Sequence, residues 1–173
     1  MKRIIAPFFF LFIAVGANAQ SAAEFYKKAM SRVEYGDFQG AIEDYTNCLR
    51  VDQFFLDAYI NRGLLYQQIG DNKSALIDFD MAIAIDSTFV RAYNSRGQLL
   101  TAMKQYREAL EDLNKALTLY PNYVNAVINR GALKREIKDS TGACNDFNEA
   151  LALDPRSSRA KEMLRKYCRE QGK

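Results

Sequence analysis

An internal period of 34 residues constrains this chain more than any other feature of it. Asn61-Arg62-Gly63, Ser95-Arg96-Gly97 and Asn129-Arg130-Gly131 recur at that spacing, and Ala29 takes the glycine place one period earlier. Ala41, Ala75, Ala109 and Ala143 form a second column, Tyr45, Phe79, Leu113 and Phe147 a third, and Cys48, Ala82, Ala116 and Ala150 a fourth. No insertion or deletion breaks the register. Such a chain stacks copies of one small unit, because a single unit cannot bury its apolar face alone.

Within each unit a small, a large and a small residue fall at spacings of four and three, as in Ala75, Phe79 and Ala82. That places them on one face of a helix. A preceding helix carries the complementary stripe Tyr59, Gly63 and Tyr66, repeated as Tyr93, Gly97 and Leu100. A glycine inside a helix costs about 1 kcal/mol against alanine, so its return at one position points to contact distance rather than flexibility. Gly36-Asp37 and Gly70-Asp71 read as a helix stop followed by a polar start. Lys104-Gln105 and Lys138-Asp139 lack the glycine and are expected to turn by some other backbone solution. Asp86-Ser87, Tyr120-Pro121 and Asp154-Pro155 end the second helices, with Gln53 in place of the proline in the first unit. The units therefore run over 22–55, 56–89, 90–123 and 124–157. A ninth helix over 158–168 caps the stack with Met163, Leu164 and Tyr167, and 169–173 is a tail.

These residues resemble the tetratricopeptide repeat family. Gly63 with Tyr66, Ala75 with Phe79 and Ala82, and the prolines at 121 and 155 agree with its pattern, and the likeness covers nearly all of the chain after residue 21. Unit one departs, with Ala29 for the glycine and Arg32 where an aromatic or leucine stands. The resemblance implies an all-α, right-handed superhelical solenoid of antiparallel helix pairs, whose first helices line a concave groove for a peptide or protein segment. It further implies that Tyr26, Met30, Ile60, Asn61, Leu64, Gln67, Arg91, Asn94, Gln98, Thr101, Asn125, Asn129 and Arg135 face that groove. On this reading Asn61, Asn94 and Asn129 donate hydrogen bonds to an extended backbone, and Ile60 and Leu64 receive an apolar side chain. The alternative is a bland inner surface. Some members of the family hold an acidic C-terminus in a five-residue clamp. Here Tyr26, Met30, Asn61, Arg91 and Ser95 stand at those places, and only Asn61 and Arg91 are serviceable.

Lys2 and Arg3, the apolar run Ile4 to Val15 and then Ala17-Asn18-Ala19 follow the order of a secretory signal peptide over 1–19, with cleavage expected before Gln20. A retained anchor and a buried helix are the alternatives. At about twelve residues the run is shorter than the roughly 20 a spanning helix needs. The chain is thus expected in the periplasm or cell envelope, or secreted. Without Lys2 and Arg3 the charge is close to balanced, at 22 basic and 21 acidic side chains. Arg156 to Lys173 holds seven basic and two acidic residues, a solvated helix face or a contact for an anionic surface. The acidic body argues against nucleic acid.

The chain has no histidine, which removes the common general base, the nucleophilic triads and the usual zinc sites. No cofactor, metal or catalytic role is expected. Arg62, Arg96 and Arg130 invite a phosphate or carboxylate reading, but their fixed place beside the glycines favours structural ion pairs. Cys48 stands in a small-residue packing column. Cys144 and Cys168 pair across the cap in an oxidising compartment, or remain two free thiols. The function expected is a non-enzymatic interaction scaffold or adaptor using its groove. The alternative is a structural or oligomerising subunit using its convex face or ends.

Overall fold

The computed structural model describes residues 21–168. The expected signal segment and the tail after Cys168 lie outside the described residues. Within them the chain forms nine α-helices: α1 (Ala22–Glu34), α2 (Phe38–Val51), α3 (Leu56–Gln68), α4 (Asn72–Ile85), α5 (Val90–Ala102), α6 (Tyr106–Leu119), α7 (Val124–Glu136), α8 (Ser140–Leu153) and α9 (Ser158–Tyr167). Each 34-residue unit holds one antiparallel pair, and each second helix also packs on the first helix of the next unit. The first helices of neighbouring units approach one another as well, α3 with α5 and α5 with α7, more closely than the second helices do. The first helices therefore form the inner face of the curve.

Packing inside a pair follows the columns. Ala41, Ala75, Ala109, Ala116 and Ala150 are fully buried, as are Phe79, Leu113 and Phe147. A methyl group on Gly63 would stand 2.6 Å from Phe79 Cε1, and one on Gly131 would stand 2.6 Å from Phe147 Cε1. On Gly97 it would meet Leu113 Cγ at 2.8 Å and the Ala109 carbonyl oxygen at 3.2 Å. The glycines are thus the places where the large side chain of the second helix lies directly on the backbone of the first.

Three of the turns inside a unit are capped by aspartate: Asp37, Asp71 and Asp139 accept from the backbone N–H of Gly40, Ser74 and Gly142. The residue before each start is left-handed. Gly36 and Gly70 have φ of +77° and +86°, and Lys104 and Lys138 adopt φ of 62° and 66°. The expectation of a different turn at the two lysines is therefore corrected. The packed helices on either side impose one turn geometry, and lysine accepts the left-handed strain rather than altering it.

Between units, Asp52, Asp86 and Asp154 accept from the N–H two residues on, closing each bend. At the end of the stack α9 occupies the place of a further first helix. Ala160 is fully buried, and Met163, Leu164 and Tyr167 cover Val127, Ile128 and Phe147.

Candidate functional site

Two polar systems run through the repeat, one inside the pairs and one along the inner face. Inside the pairs, Arg62, Arg96 and Arg130 each grip an aspartate 16 residues on. Arg62 donates to Asp78 at 2.9 and 2.6 Å, Arg96 to Asp112 at 2.7 and 2.7 Å, and Arg130 to Asp146 at 3.0 and 2.8 Å. Each also reaches the preceding unit's second helix, at Thr46, Asp80 and Asn114 respectively. The aspartates are buried. Hydrogen bonds to Asp112 hold the Arg96 pKa above its usual range, against the opposing effect of burial. These arginines are structural rivets, with their charge spent inside the repeat.

Unit one builds the same rivet from other residues. Lys28 stands in the arginine place and donates to Asp44 at 3.1 Å, and Arg32 brings its Nε within 2.8 Å of Asp44 Oδ2. That contact is ionic only, because the buried Oδ2 accepts no hydrogen bond among the described residues. Arg32, the residue that breaks the family pattern, thus supplies a second cation to the acid. Lys134 does the same for Asp146 in unit four.

Along the inner face the asparagines are engaged with one another and with their neighbours. Asn61 donates to the hydroxyls of Tyr26 and Tyr45 at 2.8 and 3.3 Å, and its carbonyl accepts from Arg91 Nη2 at 3.3 Å. Asn129 donates to Asn94 at 2.8 Å and accepts from Arg159 at 2.6 Å. Asn94 and Asn129 are 7% and 4% exposed, so the expectation of amides free to hold a peptide backbone is corrected: they join neighbouring first helices. Ile60 is corrected likewise. At 1% exposure it is core between α3 and its neighbours and receives no outside side chain. Thr101 turns its hydroxyl back to the Gly97 carbonyl at 2.8 Å.

Other expected groove residues do remain open. Met30 and Leu64 are 45% and 36% exposed and, with Val33, Tyr45 and Gln68, line a cleft of about 360 Å³ between α1 and α3. Tyr26 is half-buried, stacked on Phe55 with centroids 4.8 Å apart, and burial pushes its hydroxyl pKa up. Gln67 is half-buried, while Gln98 and Asn125 are exposed. Arg91 is held by Asp57. Arg135 lies over the Tyr167 ring at 4.2 Å and lines a smaller cleft with Thr101 and Met163. Arg159 also reaches this face. It went unnoticed in the sequence, although Arg91-Ala92 recurs as Arg159-Ala160 two periods later.

At the end of the stack, Cys144 and Cys168 are joined in a disulfide with Cα atoms 5.8 Å apart, tying α8 to the end of α9. Cys48 is a buried free thiol whose pKa burial pushes up to about 11. No group of three or more His, Cys, Asp or Glu side chains among the described residues is arranged to hold a metal ion. No described helix is long and apolar enough to cross a membrane.

Known proteins share this architecture. Solved neighbours include PilF of Pseudomonas aeruginosa, with 24% identity and a TM-score of 0.73 over 84% of this chain and 68% of that one. A MamA protein has 21% identity and a TM-score of 0.68 over 83% and 78% of the two chains. The first TPR of Spaghetti (RPAP3), bound to the HSP90 peptide SRMEEVD, has 24% identity and a TM-score of 0.64 over 69% and 95%. Such identities show the fold alone. No curated protein matches the sequence. Two tetratricopeptide repeat family models match residues 26–88 and 90–123, together more than half of the chain. With four helix pairs in register and the glycine, alanine and aromatic columns in contact, the chain belongs to the tetratricopeptide repeat family.

Proposed function

We propose that this scaffold is an exported adaptor that holds an extended peptide or protein segment along its inner face. The observation that carries the reading is the cleft between α1 and α3, where Met30 and Leu64 stay exposed on the inner face of a repeat that otherwise buries its large apolar side chains there. Gln98 and Asn125 offer polar contacts further along. The RPAP3 neighbour in fold holds a peptide, which supports the same use here. Export is supported by the basic, apolar and small-residue order of 1–19 and by the pairing of Cys144 with Cys168. Lys161, Arg165 and Lys166 stand exposed on α9 and add a weak attraction to anionic surfaces.

Site-specific photocrosslinking tests the groove. Probes at Met30, Leu64 and Gln98 are expected to capture partner protein, while matched probes on the outer helices do not. Capture from the outer helices alone would refute the groove reading. One feature favours the second reading, a subunit that binds by its convex side. Ile77 and Met81 are 53% and 42% exposed on α4, where the other units carry Glu43 and Asn47, Glu111 and Lys115, and Asn145 and Glu149. Probes at Ile77 and Met81 therefore form the opposing arm. Cell fractionation with N-terminal sequencing tests export: recovery of a chain beginning at Gln20 outside the cytoplasm is expected, and a cytoplasmic chain beginning at Met1 would refute it.

A further inference from the structure

The outer stripes of the second helices differ in one unit. In α4, spacings of four, four and three put Lys73, Ile77, Met81 and Ala84 on one face, and all four are exposed. Ala75, Asp78, Phe79 and Ala82 turn the other way and are buried, while Leu76 and Ile83 pack along the flanks. Asp80, at the edge of the stripe, is neutralised by Arg96. This helix is therefore apolar on nearly every side, a pattern that marks a covered helix. The places of Ile77 and Met81 hold Glu43 and Asn47 in unit one, Glu111 and Lys115 in unit three, and Asn145 and Glu149 in unit four. The other units fold with polar residues there, so packing inside the stack does not require Ile77 or Met81. Their apolar character calls for a cover from outside.

The charges around the stripe fit a second copy of the same chain. Two α4 helices laid antiparallel across a twofold axis set Ile77 of each against Met81 of the other, and such a contact closes at two copies. Because that axis crosses the helices, α6 faces α6 of the second copy. Glu111 and Lys115 are exposed and stand in the register of Ile77 and Met81, so opposite charges meet in two equivalent pairs. On the other flank Glu43 meets the neutral Asn47. The parallel alternative, with the axis along α4, sets α2 against α6 and brings Glu43 to Glu111, two like charges. Charge thus selects the antiparallel pair. First helices approach one another more closely than second helices do, so the outer face curves away on both sides of α4. Only α4 and the long side chains beside it reach across, which places the contact at the small end of specific interfaces, below about 1,200 Å² in total.

We propose that the outer face of α4 is a self-association surface on which a second copy of this chain seats antiparallel. Ile77 and Met81 form its apolar centre, and Glu111 and Lys115 of the two copies form its charged rim. The proposal rests on the convex-side reading above and leaves both inner faces open, so it stands apart from the groove. Its small area makes the association weak and dependent on protein concentration.

Sedimentation equilibrium of the purified protein, across about 1 μM to 1 mM, is expected to show monomer and dimer in exchange. Ile77→Glu with Met81→Asn copies the residues of unit one, which the repeat accepts, and should weaken the dimer at least about tenfold while the melting midpoint holds. Glu111→Lys and Lys115→Glu should each weaken it several-fold, because like charges then meet twice. The double variant E111K/K115E should recover the wild-type dimer, and an equimolar mixture of the two single variants should form a mixed one. A monomer at every concentration, a dimer indifferent to I77E/M81N, or charge-reversal losses that the double variant does not recover would each overturn the surface. A photoprobe at Ile77 is expected to attach near Met81 of a second copy, giving a product of twice the chain mass. Attachment near Ile77 of the second copy overturns the antiparallel pairing. Attachment to a different protein overturns the second copy while leaving the convex-side reading intact, and no capture from Ile77 or Met81 overturns both.

Discussion

Arg62 of α3 and Asp78 of α4 meet through two hydrogen bonds, Nε to Oδ2 at 2.9 Å and Nη2 to Oδ1 at 2.6 Å, and the same pair recurs in the two units that follow. Burial disfavours the charge of Arg62, yet the hydrogen bonds and field of Asp78 outweigh it and its pKa lies above the usual value. The pair ties the two helices of a unit together, and the third nitrogen ties that unit to the one before.

Removing Asp112 leaves Arg96 half-buried with only Asp80 to pair with. Asp112→Ala is therefore expected to destabilise the fold by about 1–3 kcal/mol in urea denaturation. Asp112→Asn keeps the volume and one acceptor and should lose less. A loss below about 1 kcal/mol for the alanine variant, the range of exposed ion pairs, would show that the rivet does not hold the unit.

The glycine column sets helix distance. Gly97→Ala would place a methyl 2.8 Å from Leu113 Cγ and 3.2 Å from the Ala109 carbonyl oxygen. The about 1 kcal/mol gained in helix propensity is therefore outweighed by overpacking, typically 1–3 kcal/mol, and thermal stability should fall. Adding Leu113→Ala should recover part of that overpacking loss in a double-mutant cycle. Fully additive losses would mean the two residues do not oppose each other.

The lysine turns predict a gain. Lys104 sits at φ of 62°, where its periodic counterparts are glycines. Replacement by glycine removes about 1–2 kcal/mol of left-handed strain, partly offset by the freedom glycine adds to the unfolded chain. Lys104→Gly should raise the melting midpoint by about 2–4 °C, and Lys138→Gly likewise. A lower midpoint would contradict the strain account.

Thiol chemistry separates the three cysteines. Cys48, fully buried with its pKa at about 11, should resist iodoacetamide at pH 8 in the folded protein. After reduction, Cys144 and Cys168 should label while Cys48 does not, and mass mapping reads each site. Reduction should also free α9 to exchange its amides faster than the rest of the stack, since only Ala160 of that helix is buried. Labelling of Cys48 at the rate of a free thiol would refute its burial.

Much of the architecture was legible because packing leaves a periodic trace. Gly63, Gly97 and Gly131 announced close contact before Phe79, Leu113 and Phe147 were seen lying on them. The ion-pair role expected of Arg62, Arg96 and Arg130 could be read from position, although the partner aspartates could not be named. The inner face was less legible. Ile60, Asn94 and Asn129 look like surface residues on one helix, and only the approach of the neighbouring first helices buries them.

By itself, then, the sequence determined the repeat length, the helix pairs and the stacking order, because these depend on spacing along one helix and on contacts that return every 34 residues. The tertiary structure decided which inner residues remain open and which charges are neutralised. Asp57 meets Arg91, while Arg159, with Asn125 at the corresponding register position, has no acid within ion-pair distance among the described residues, a difference that arises between helices a whole unit apart. Periodicity places such residues in register, but burial and pairing depend on the distance between the helices that carry them.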